Sequence, residues 1–152
     1  MAPGLIALIA ALAVAAAVGL AWQRTSGRIR GVSRSAAPSQ AAGSEPAAAV
    51  LTAAQLGQPL GERATLVQFS TAFCAPCRAT RRILAEVAGM VDGVAHAEID
   101  AEARLDLVRA LGILRTPTVL VVGPDGRIAR RASGQPRKAD VIAALGEVVT
   151  AP

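Results

Sequence analysis

Thr65-Leu66-Val67-Gln68-Phe69-Ser70 runs, after three residues, into Cys74-Ala75-Pro76-Cys77. The first stretch is short, apolar and rich in β-formers, as expected of a buried strand. Beyond the second cysteine the period changes. Ile83, Leu84, Val87, Met90 and Val91 recur at helical spacing, and Arg78, Arg81, Arg82 and Glu86 take the opposite face, with Arg82 and Glu86 four apart. A strand therefore hands over to a helix at the cysteine pair.

That junction gives the pair a chemistry. Unpaired backbone N–H groups and the positive end of the helix dipole favour a thiolate on the first sulfur, lowering a thiol pKa from about 8.5 to roughly 3.5–7.5. Cys74 is thus the candidate nucleophile. Cys77, one turn in and more buried, is the candidate for attack on the resulting mixed disulfide. Pro76 fits the first helical turn, where a missing N–H costs nothing. The competing readings are two inert core cysteines, a stable disulfide, or a metal carrier, and the last lacks Met- or His-rich surroundings. With two cysteines in all, neither a disulfide framework nor a four-cysteine zinc site is available. No metal site is expected.

Downstream, Val94 to Ile99 reads as a second strand. Asp100 is placed to cap a helix reaching Leu111, with Gly112 to end it. Thr118 to Val122 is a third strand, Gly123-Pro124-Asp125-Gly126 a turn, and Arg127 to Ala132 a fourth, arginine-rich and partly exposed strand. Pro136 opens a last helix with Val141, Ile142, Leu145, Val148 and Val149 on one face.

Cys74-Ala75-Pro76-Cys77 after an apolar strand, Arg115-Thr116-Pro117-Thr118 before a Val-rich strand, and Gly134 after the hairpin together resemble the thioredoxin family. The resemblance covers roughly residues 63 to 150. It implies an α/β thioredoxin-like fold with a central mixed four-stranded sheet flanked by helices. It further implies a cis bond before Pro117 facing the cysteines, Thr116 backbone groups that pair with an extended substrate, and a substrate surface of Phe73, Ala75, Pro76, Thr116 and Pro117. Three positions depart from the family pattern. Phe73 replaces a tryptophan, Gln68 replaces a buried acid six residues before the first cysteine, and His96 stands where a lysine neighbours that acid. Both members of a buried charged pair are thus replaced by groups that can be neutral, so no charge is stranded in the core. His96 is expected at the surface or at a strand end, without a catalytic role.

The N-terminal third differs in composition. No charged side chain occurs from Met1 to Gln23, and Pro3 to Trp22 is almost wholly Ala, Leu, Ile, Val and Gly. Twenty such residues span a bilayer core of about 30 Å at about 1.5 Å each. A cleaved signal peptide would want a basic start and a shorter apolar run, so a retained transmembrane helix is expected, with Trp22 at an interface. Arg24, Arg28, Arg30 and Arg34 follow without an intervening acid, which by the positive-inside rule puts the remainder in the cytoplasm, the extracytoplasmic side being the alternative. The same arginines suit anionic headgroups. Residues 35 to 49, rich in Ser, Ala, Pro and Gly, read as a flexible linker holding the domain clear of the bilayer. The expected organisation is a transmembrane anchor at 1–23, a basic juxtamembrane segment and linker at 24–61, and a thioredoxin-like domain at 62–152.

The net charge of +5 is concentrated beside the apolar run, for residues 62 to 152 hold 12 basic and 10 acidic side chains. With one Trp, two Phe and no Tyr, there is little to stack on bases, and no nucleic-acid partner is expected. The expected function is thiol–disulfide exchange on protein disulfides through Cys74 and Cys77, tethered to the lipid bilayer, without a cofactor. A thiol reductant or membrane electron donor would recharge it. A redox sensor or interaction module of the same fold, or an extracytoplasmic protein serving cytochrome maturation, are the alternatives.

Overall fold

The computed structural model describes residues 2–25, 27–31 and 50–150. Helix α1 (Ala2–Thr25) is followed by a two-residue strand β1 (Arg30–Gly31), and after residue 50 come α2 (Ala53–Leu56), β2 (Ala64–Ser70), α3 (Ala75–Ala88), β3 (Val94–Asp100), α4 (Leu105–Ala110), β4 (Thr118–Val122), β5 (Ile128–Ser133) and α5 (Lys138–Val149). The strand order is β1-β5-β4-β2-β3, with β2 and β3 parallel and all other pairs antiparallel. The expected mixed four-stranded sheet is present, with β1 added at its edge.

Period-two alternation sends β2 side chains to two covered faces. Val67 and Phe69 join Ala97, Ile99, Leu120 and Val122 in a cluster with Leu107 and Leu111 from the α4 side, while Ala64 and Leu66 join Val119, Val121, Leu84, Val87, Val141 and Leu145 from α3 and α5. Every residue of β2 is buried, since helices lie on both sides.

Several boundaries differ from the sequence reading. Asp100 caps no helix: its Oδ1 accepts from the Glu102 N–H in a tight turn, and α4 starts only at Leu105. α3 ends at Ala88, leaving Met90 exposed in the following turn. Pro136 precedes the helix rather than opening it, because Arg137 is the N-cap residue of α5. Ile142 is exposed, the buried stripe of α5 being Val141, Ala144 and Leu145. Glu86 pairs with Lys138 across the α3–α5 contact and not with Arg82.

The segment assigned to a linker contributes to the domain at both ends. Leu51 and Leu56 are core residues, and Thr52 and Gln55 form a capping box on α2, so the core begins some ten residues before position 62. At the other end, Gly27 donates to the Ser133 carbonyl at 2.9 Å, Arg30 and Gly31 pair with Arg131 and Arg130, and Ile29 packs against the α3/α5 cluster. Gly27 has φ of 83°, and a Cβ there would lie 2.0 Å from the Gln135 carbonyl oxygen, a close approach that only glycine allows. The linker reading of 35–49 and Arg34 lie outside the described residues, as do the side chains of Trp22, Arg24 and Arg30. Among the described residues, no helix is long and apolar enough to cross a membrane.

Candidate functional site

β2 delivers the chain from the middle of the sheet into the loop Thr71-Ala72-Phe73, and the turn into α3 places both cysteines. Cys74 is the N-cap of α3, with the Cys77 N–H directed at its Sγ over 3.2 Å, and the Cys74 N–H bonded to the Thr71 carbonyl. The two sulfurs form a disulfide with the Cα atoms 5.2 Å apart. Cys74 is partly exposed whereas Cys77 is buried, so one sulfur is open to a substrate and the other is not. Pro76 lies in the first turn of α3, and its carbonyl accepts from the Thr80 hydroxyl.

The Thr116–Pro117 bond is cis, as the resemblance implied. Its loop stands beside the cysteine loop, with Thr71 Oγ1 and Thr116 Oγ1 3.2 Å apart. β5 holds it from the other side, since Gly134 N–H donates to the Pro117 carbonyl at 2.7 Å and Arg115 Nη2 to the Ser133 carbonyl at 3.0 Å. Arg131 fixes the approach to this loop by donating from both terminal nitrogens to the carbonyls of Leu111 and Gly112. Phe73 is 98% exposed and Leu114 90%, two apolar side chains in the loops around a half-open sulfur.

Gln68 is fully buried behind the pair. Its Nε2 donates to the Cys77 carbonyl at 2.9 Å and lies 3.5 Å from Ser70 Oγ, which leaves Oε1 buried without a partner. Ser70 donates to Glu98 Oε1, and Arg81 grips the same carboxylate from α3 with Nη2 at 2.7 Å and Nε at 2.6 Å. Partial burial alone would raise the Glu98 carboxyl, yet the hydrogen bonds from Arg81 and Ser70 and the Arg81 charge outweigh it and hold the group below its ordinary value. His96 is not at the surface: it is half-buried opposite Leu66, with its Nε2 buried and unpartnered. Burial pushes its imidazole below the ordinary value, Glu98 opposes the shift and Arg81 adds to it.

The sequence reading placed Ser70 at a strand end and Arg81 on a polar helix face, did not single out Glu98, and did not bring the three together. The signal lay in the alternation, since residues 66, 68 and 70 of one strand and 96 and 98 of the next share a face once the strands pair in register. Arg131 left no such signal, because its carbonyl partners are fixed by the path of the chain after α4. Among the described residues, no group of His, Cys, Asp and Glu could hold a metal ion.

A half-open sulfur at a helix N-cap, bonded to a buried one and faced by a cis-proline loop, is the site of a thiol–disulfide oxidoreductase. Residues 48–147 match the thioredoxin family model, roughly two thirds of the chain, and the protein belongs to the thioredoxin family. Among solved structures it is similar to chloroplastic thioredoxin z, with 26% identity, a TM-score of 0.53 and coverage of 59% of this chain and 81% of that one. A point mutant of the thioredoxin of Halobacterium salinarum matches with 18% identity and a TM-score of 0.54 over 60% and 79% of the two chains. Oxidised mitochondrial thioredoxin 3 of Saccharomyces cerevisiae has 16% identity and a TM-score of 0.50 over 57% and 79%. The last two likenesses concern the fold alone. Among curated proteins, none matches the sequence significantly.

Proposed function

We propose that the protein is a membrane-tethered oxidoreductase that reduces protein disulfides, with Cys74 attacking and Cys77 resolving. The asymmetry of the pair carries this reading: Cys74 is open at the α3 N-cap and Cys77 is 2% exposed beneath it. In the dithiol form, the Cys74 thiolate attacks one sulfur of the substrate disulfide, forming a mixed disulfide and expelling one substrate thiolate. Cys77 then loses its proton and attacks Cys74 Sγ, which closes the disulfide and expels the second thiolate. Two electrons pass to the substrate, and the two protons of the dithiol end on its thiols. A thiol reductant or membrane electron donor reverses the change in the enzyme. Phe73, Ala75, Pro76, Thr116 and Pro117 form the surface on which an extended substrate lies.

The tether rests on α1. Ile6, Leu8, Ile9, Leu12, Val14, Val18 and Leu20 are all exposed on it, and hydrocarbon would cover them. The basic cluster that follows supports a cytoplasmic catalytic domain, where a reductase direction fits the redox poise. A membrane-impermeant thiol reagent applied to mildly reduced intact cells should then label nothing until lysis.

The deciding measurement is turnover of an insulin-like disulfide with dithiothreitol. The parent should pass many equivalents, Cys74→Ser none, and Cys77→Ser should accumulate the mixed disulfide. A parent that is oxidised once and stops is a sensor, and the enzymatic reading fails.

A further inference from the structure

The end of α1 and the cysteine loop lie at the same end of the sheet. Gly27 donates to the Ser133 carbonyl, Ser133 pairs with Thr118, and Thr118 pairs with Phe69, so these four residues form one row across β5, β4 and β2. At about 4.8 Å per strand, Gly27 stands about 14 Å from Phe69, five residues before Cys74. Only Ser26 separates Gly27 from Thr25, the last residue of α1. Two Cα steps of about 3.8 Å therefore set the longest possible distance from the helix to its docked strand, about 8 Å. The same short strap borders the substrate edge, because a Cβ on Gly27 would strike the Gln135 carbonyl oxygen and Gly134 bonds Pro117.

We infer that the natural substrate is a disulfide held at the bilayer surface, in the juxtamembrane part of another membrane protein, and not one on a freely diffusing protein. This rests on the proposed tether and exchange chemistry and deepens them. With one residue between α1 and the sheet, the domain cannot swing far from the membrane. The 18 residues from 32 to 49 lie between two attachments to the domain, Gly31 on β5 and Val50 bridged to Arg127, and so add no reach from the bilayer. The cysteine loop is carried at the membrane-proximal end of the sheet, where a surface-held disulfide is met at high effective concentration and a distant one is out of reach.

The full chain in phospholipid vesicles, recharged with dithiothreitol, tests this against two fluorogenic peptide disulfides. One is joined directly to a lipid headgroup. The other stands on a polyproline spacer of about 20 residues, roughly 60 Å long. The parent should reduce the near peptide about 10-fold faster or more. A flexible insert of about 20 Gly and Ser residues between Thr25 and Ser26, which leaves the folded domain untouched, should cut that ratio at least about threefold. Gly27→Val, which undocks the strap, should also cut the ratio, and the insertion variant should match the parent on a soluble peptide disulfide. A vesicle-bound parent that reduces both peptides equally, or an insert that leaves the ratio intact, overturns the inference while the tether stands. A chain that does not float with the vesicles removes the tether reading and this inference with it.

Discussion

The two faces of the central sheet are built from the same strands and do different work. On the α4 side, β2 presents Val67 and Phe69 to Ala97, Ile99, Leu120 and Val122, a wholly apolar layer. On the α3 side, the same strand presents Gln68 and Ser70 to His96 and Glu98, and two buried polar atoms there have no partner. A buried polar atom without a hydrogen bond destabilises by about 1–3 kcal/mol, so this polar strip is held less well than the apolar clusters on either side of the sheet. The contrast teaches that apolar packing covers both sides of β2, and that the polar groups bearing on the exchange chemistry form a strip at one end of the α3 side, next to Cys77.

Substitutions on the two faces should behave oppositely. Phe69→Ala should have the largest effect, lowering unfolding free energy by about 3–5 kcal/mol, because it opens a cavity in the apolar layer. A loss under about 1 kcal/mol in urea titration would mean that the layer collapses around the gap and that the two faces are not distinct. Gln68→Leu, one residue earlier and equally buried, should stay within about 1 kcal/mol of the parent: it forfeits a hydrogen bond to the Cys77 carbonyl and removes an orphaned acceptor. Its companion Gln68→Asp sharpens the comparison. An ionisable group at this place should speed release of the mixed disulfide by supplying a base for Cys77, and an unchanged release rate would show that Gln68 does not limit resolution.

The smallest effect should appear in the pH dependence. His96 has a folded-state value below its ordinary 6.5, so the unfolded chain takes up that proton first, and stability falls as pH drops below about 6.5. Glu98, held below its ordinary 4.5, contributes stability that is present above that value and lost as pH falls through the folded one. Both act in the same direction. His96→Gln should remove the upper part of the acid loss and leave the lower part, where Glu98 responds to Arg81 and Ser70. A urea midpoint that is flat in the parent between about pH 7 and 5 would contradict the burial of His96.

The strand–cysteine–helix junction and the hairpin turn were legible because each rests on local chemistry, whereas the cis bond before Pro117 followed from the family resemblance alone. A change of hydrophobic period and a Pro-Asp-Gly turn declare themselves within a few residues. The Gly126 N–H bonds the Gly123 carbonyl at 3.0 Å, as that turn requires. Helix ends were read less well. Asp100 has the side chain of a cap, but its carboxylate is used by the turn at Glu102, and nothing local distinguishes the two.

What the sequence by itself determined is the order of elements from β2 to α5, the apolar N-terminal run and the pair of cysteines at a helix start, all set by patterns that repeat over a few residues. What only the tertiary structure decided is which distant groups meet. Glu98 lies between Ser70 and Arg81 because β2 and β3 pair in one register and α3 crosses above them. Gly27 lies on Ser133 because one glycine without a Cβ allows two backbones to touch, a contact between residues more than 100 positions apart. Such meetings depend on strand pairing and close packing, which are properties of the whole assembled sheet and leave no local periodicity to read.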